Sequence, residues 1–105
     1  MNSRVRFLDK LYIGETAKKR QTEIRWRLRL FRRVRNLFVI VVSGNDGDQL
    51  EIMDSRYLKQ GYFRRFPPVI AGFAFGYDEA VDVIVSLAEE VYRKTGSCDI
   101  KGYIA

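Results

Sequence analysis

The chain has 105 residues, 19 basic and 13 acidic, for a formal net charge of +6, and 47% of its residues are hydrophobic. This is one domain's worth of ordinary globular composition, which excludes collagen-like repeats, low complexity and wholesale disorder. Histidine is absent and Cys98 is the single cysteine. That excludes histidine-dependent nucleophilic catalysis, histidine metal ligation and a disulfide within the chain.

The charge is concentrated. Nine basic residues and only two acidic ones lie between Glu15 and Asn36, against ten basic and eleven acidic in the rest. One strongly basic element on an otherwise near-neutral domain attracts polyanions or acidic protein surfaces, and salt weakens the attraction. The longest clean apolar run, Leu37 to Val42, is far short of the roughly 18 residues of a membrane span. Charged residues interrupt the stretch from Met1 to Lys10 where a signal core would lie. A single soluble cytoplasmic domain over residues 1–105, with no membrane partner, is therefore expected.

In chain order, Arg4 to Ile13 reads as a strand with Val5, Phe7, Leu11 and Ile13 on one face, ending at Gly14. From Glu15 to about Arg35 two periods compete. Ile24, Trp26, Leu28 and Leu30 alternate with arginines as in a strand. On a helix of about 100° per residue, Ala17, Ile24, Leu28 and Phe31 instead gather on one side, and Lys18, Arg25, Arg29, Arg32 and Arg33 in a separate sector. No turn signal interrupts the segment, and the helix is favoured. Leu37 to Ser43 reads as a strand buried on both faces. Gly44–Asp48 is a dense turn signal. Its calcium reading fails because the acidic first position and the distal glutamate of a calcium loop are missing.

Gln49 to Met53 suits a short strand, and Asp54 or Ser55 caps a helix of one or two turns. Tyr62 to Pro68 is basic, aromatic and proline-bearing, hence irregular. Val69 to Phe75 reads as a second buried strand, with Gly72 allowing close backbone approach. The clearest element is a helix from Tyr77 to about Lys94, acidic in its first turn, basic in its last and followed by Gly96. Its apolar arc is wider than a single sheet contact requires, and a second copy of the chain is one way to cover the excess. Asp99 to Ile104 suits an edge strand. The resulting order is β-α-β-β-α-β with a 48–66 insertion. That is an α+β two-layer, ferredoxin-like arrangement with both helices on one face, and a three-layer α/β sandwich is its main rival.

Catalytic signatures are lacking. Gly72–Gly76 precedes a helix but matches no phosphate-loop or dinucleotide pattern, and no cofactor or metal is implied. What rises above background is the basic helix. Lys18, Arg25, Arg29, Arg32 and Arg33, extended by Arg64 and Arg65, are the candidate binding residues for an acidic protein surface or, alternatively, for nucleic-acid phosphates. Trp26, Leu30, Tyr62, Phe63 and Phe66 are the candidate interface residues, for a partner or for a homodimer. Small-ligand binding, or an enzyme working with Asp, Glu, Lys or Tyr, is the second alternative.

Overall fold

The computed structural model describes residues 5–30, 32, 34–43, 49–59 and 65–104. Four strands form one mixed sheet: β1 (Arg6–Ile13), β2 (Leu37–Val42), β3 (Leu50–Asp54) and β4 (Val69–Phe75), in the spatial order β1-β4-β2-β3. β1 runs parallel to β4, β2 runs antiparallel to β4, and β2 pairs antiparallel with β3. The two apolar strands, β2 and β4, are thus the interior pair. They read as continuous runs rather than alternations because both of their faces are covered.

The covers lie on opposite sides. On one face Leu37, Val39 and Val41 of β2, Ile70 and Phe73 of β4, and Phe7, Leu11 and Ile13 of β1 cluster with Ile24 and Leu28. Those last two belong to helix α2 (Gln21–Arg29), and full burial of each stabilises by about 1.5–3 kcal/mol. The other face presents Ile40 and Ala74 to helix α3 (Tyr77–Thr95), whose Ala80, Leu87 and Val91 are buried. Two helices on one face would have left one side of β2 and β4 in water. The ferredoxin-like order is therefore replaced by a three-layer α+β arrangement, helix, sheet, helix. The short strand placed within a 48–66 insertion is β3, an edge of the main sheet.

Three local departures from the sequence reading have identifiable causes. The continuous helix over 15–35 is two helices, α1 (Glu15–Lys18) and α2, broken at Lys19–Arg20 and ended at Arg29. Ala17 is fully buried and lets α1 approach β4 closely. The larger Ile24 and Leu28 hold α2 further off the sheet, so one straight axis cannot serve both. Beyond α2 the chain turns to bury Val34, and Asn36 takes a left-handed φ of 61° to enter β2. Ser55 fixes this turn. Its buried hydroxyl accepts the Val34 N–H at 3.2 Å and donates to the Val34 carbonyl at 2.8 Å. Finally, 99–104 is not a strand but a short helix, α4 (Ile100–Ile104). The Gln49 side chain accepts the Ile100 and Lys101 amides, and Asp99 accepts that of Gly102 at 3.0 Å. These caps make a helix of a segment whose own pattern suits a strand.

Other elements agree with their sequence signals. A 3-10 helix occupies Ser55–Lys59, and the Asp54 carboxylate accepts the Arg56 amide at its start. Gly96 closes α3 in the left-handed conformation, with its N–H on the Tyr92 carbonyl. At Gly72 a Cβ would collide with the Tyr12 backbone carbonyl. β1 bulges there, with the six residues from Phe7 to Tyr12 spanning what the three from Ile70 to Gly72 span on β4. The turn expected at Gly44–Asp48 lies outside the described residues.

Candidate functional site

The outer surface of α2 is the candidate site. With Ile24 and Leu28 pointing inward, a turn of about 100° per residue sends Trp26 almost directly outward, with Leu30 one turn further along. Trp26 is 66% exposed and Leu30 48%. With Thr22, Glu23, Arg27 and Arg32 they line a shallow depression. The crest of the helix is therefore apolar and aromatic, and its flanks are cationic.

The two flanks differ. On one, the Arg25 and Arg29 guanidiniums lie over the Phe7 ring of β1, at 5.8 and 5.3 Å from its centroid. Their stems cover an edge of the core while the charges stay at the surface. On the other, Glu23 takes Arg20 and Arg27 at 3.2 Å each. The bond and charge of Arg20, aided by Arg27, outweigh burial and hold the Glu23 carboxyl below its ordinary value. Among the described residues no carboxylate forms an ion pair with Arg25, Arg29, Arg32 or Arg35.

The structure groups part of the predicted set. Arg25, Arg29 and Arg32 lie along α2 and its end, with Trp26 and Leu30 between the flanks. Lys18 stands apart on α1, paired with Glu15 at 3.1 Å and beside Glu79 and Asp82 of α3, because the break at Lys19–Arg20 separates the two helices. Arg65 and Phe66 are exposed just before β4, and no ion pair or hydrogen bond joins Arg65 to α2. Arg33, Tyr62, Phe63 and Arg64 lie outside the described residues.

A second polar cluster has no signal in the sequence. Glu90 of α3 accepts hydrogen bonds from the Tyr12 and Tyr103 hydroxyls, each at 3.2 Å, and Lys10 stands 3.6 Å away. These groups come from β1, α3 and α4, at separations of up to 78 residues, so no spacing rule reaches them. Burial, then the Glu90 charge and hydrogen bond, push the Tyr12 hydroxyl up to about 12, with Tyr103 adding to the effect. Burial and the same carboxylate raise Tyr103, against Lys10 and Arg93. Burial works to raise Glu90 itself, but the Tyr103 bond, the Lys10 charge and the Tyr12 bond prevail and hold it below the usual range. All three groups move away from neutral pH. The Glu90 hydrogen bonds make the arrangement a clasp that ties α4 and β1 to α3.

Among the described residues no group of three acidic or cysteine side chains is placed to hold a metal ion, and no helix is long and apolar enough to cross a membrane. No family model matches the chain, and neither a curated protein nor a solved structure shows significant similarity to it.

Proposed function

We propose that the protein is a binding protein that presents α2 to an acidic protein partner. Trp26 and Leu30 are the apolar anchor, and Arg25, Arg27, Arg29 and Arg32 form the charged rim. The observation that carries this reading is the exposure of Trp26 on the outermost line of a helix whose flanks are arginine. Tryptophan and arginine dominate the energetics of protein interfaces, and an anchor ringed by charge is their usual arrangement. Leu30 beside Trp26 favours a protein over a nucleic acid, since an aliphatic side chain offers a base neither stacking nor a hydrogen bond.

Nucleic acid is the second reading. It is supported by Arg25 and Arg29, whose guanidiniums form no ion pair with a carboxylate among the described residues, and by the exposed Trp26 ring on the same helix, on which a base can stack.

Trp26 is the only tryptophan in the chain, so its emission reports on the site without a label. The experiment titrates the protein with three probes: poly-glutamate, an acidic peptide of equal charge carrying leucine and phenylalanine, and a single-stranded oligonucleotide. Each is run at low and at physiological ionic strength. The proposal expects the apolar acidic peptide to bind most tightly, to shift the emission to the blue and to retain binding at physiological salt. Tightest binding by the oligonucleotide would promote the second reading. No response to any probe at low salt would remove both.

A further inference from the structure

The outward flank of α3 carries a stripe that is symmetric about its own middle. It consists of Tyr77, Val81, Ile84, Val85, Ala88 and Tyr92. Successive spacings are four, three, one, three and four residues, the same in either direction, with a tyrosine at each end. On the helix these residues share one sector of about 100°, roughly a quarter turn from the buried line of Ala80, Leu87 and Val91. Tyr77 is 54%, Val85 51% and Tyr92 62% exposed, and the other three are half-buried. The opposite flank is occupied, with Glu79 on Thr16 of α1 and Glu90 on the β1 and α4 clasp. The stripe therefore faces the β3 side of the sheet, where Tyr77 meets the Phe38 ring edge-on.

We propose that this stripe is the contact surface for a second copy of the chain, with the two α3 helices packed antiparallel about a two-fold axis between Ile84 and Val85. A two-fold contact must be self-complementary, each residue i meeting j while j meets i. An antiparallel helix pair meets that condition by symmetry, and it sets apolar residue against apolar residue when the apolar spacing reads the same in both directions. Here Tyr77 of each copy falls against Tyr92 of the other, Val81 against Ala88, and Ile84 against Val85. Large residues close the two ends and smaller ones fill the middle, which lets the helices approach at the axis.

Charge at the helix ends points the same way. Antiparallel packing opposes the two helix dipoles and brings Asp78, at the rim of the stripe, toward Arg93 in the basic last turn of the other copy. A parallel pair would stack like on like. Asp82 of one copy does come near Glu89 of the other at the solvent-side rim, so the apolar stripe and the helix ends decide the balance. From Tyr77 to Tyr92 the contact is about 22 Å long at about 1.5 Å per residue. One helix pair of that length buries less than the roughly 800 Å² per partner of a standard interface, so the dimer depends on concentration. The surface is on the opposite side of the sheet from α2, and the proposal stands or falls independently of what α2 binds.

Sedimentation equilibrium of the full chain, from micromolar to about millimolar, is the first test. The expected result is a rise from the 12.3 kDa chain mass toward twice that value. Val85→Asp, at an exposed position, should raise the dissociation constant at least about tenfold with an unchanged circular dichroism spectrum. Disulfide trapping keeps the test decisive if that variant misfolds, with Cys98→Ser removing the native thiol. Val85→Cys lies at the axis and should cross-link to itself on oxidation. Tyr77→Cys should not, because two copies of residue 77 lie far apart in an antiparallel pair, but it should cross-link to Tyr92→Cys in a mixture. A chain that stays monomeric throughout overturns the proposal. So does a dimer in which Val85→Cys fails to cross-link, or one in which Tyr77→Cys cross-links to itself.

Discussion

Replacing Ser55 by alanine removes one oxygen from the core, and its effect can be worked out from the groups it leaves behind. Its hydroxyl serves both backbone groups of Val34. The Val34 carbonyl keeps a second partner, the Leu37 N–H at 3.1 Å. The Val34 N–H has none, so the variant orphans one buried donor. Such a group costs about 1–3 kcal/mol, and the void left by a single hydroxyl is too small to add much. Taking about 2 kcal/mol, and about 4–8 °C of melting temperature per kcal/mol for a domain near this size, Ser55→Ala should melt about 8–16 °C lower. Urea denaturation should show a lower midpoint at unchanged slope. Ser86→Ala, exposed on α3, is the control and should stay within about 0.5 kcal/mol. A Ser55→Ala loss no larger than that would falsify the claim that this bracket holds the turn leading from α2 into β2.

Gly72→Ala puts a methyl into the Tyr12 carbonyl, which only a shift of β1 relieves; it should cost more than about 3 kcal/mol or abolish folding, read by denaturation or soluble yield. Trp26→Ala should change stability by less than about 0.5 kcal/mol, because the side chain is largely in solvent already, while abolishing the peptide response described above. Tyr12 is raised from its ordinary 10.0 to about 12. Between those values the unfolded chain releases a proton that the folded chain keeps, so stability falls as pH rises through the window. Tyr12→Phe should lack that component, measured as the difference between the two proteins in melting temperature against pH. At the acid end the depressed Glu90 works in reverse. Its contribution is present above the ordinary carboxylate range and is lost as pH falls through the folded value, and Glu90→Gln should flatten that limb.

The elements legible in the sequence were those whose signals are local. The uninterrupted apolar runs of β2 and β4, and the acidic start, basic end and glycine stop of α3, each carry their cause within the element. What misled was decided at a distance. Ala17, Ile24 and Leu28 keep one helical phase, so nothing in their spacing shows that alanine and isoleucine set two heights above the sheet and split the helix. The strand-like pattern of 99–104 is overruled by the Gln49 side chain, about fifty residues earlier. The choice between one covered face and two turns on Ile40 and Ala74 having to be buried together, which a single strand's pattern does not encode. For the candidate site, a helical wheel groups Arg25, Arg29 and Arg32; Arg25 and Arg29 do share a flank of α2, while Arg32 lies three residues beyond its end. The wheel also groups Lys18 with them, which the break prevents. The Glu90 clasp joins three elements far apart in the chain and had no local signature.

The strand order has a consequence for how the protein is made. β1 is the first strand to leave the ribosome, but its neighbour in the sheet is β4, some sixty residues later. β2 and β3 are joined as a hairpin and can pair as soon as both emerge. Until residues 69–75 are synthesised, β1 has no strand to bond, and Ile24 and Leu28 lack half of the floor they rest on. Assembly thus waits on a long-range contact, which slows folding relative to a chain of nearest-neighbour hairpins. In the interval the exposed flank of the hairpin and the unpaired β1 are the surfaces a nascent-chain chaperone would meet. A fragment ending before β4 holds three of the four strands but lacks the one that joins β1 to the β2–β3 hairpin.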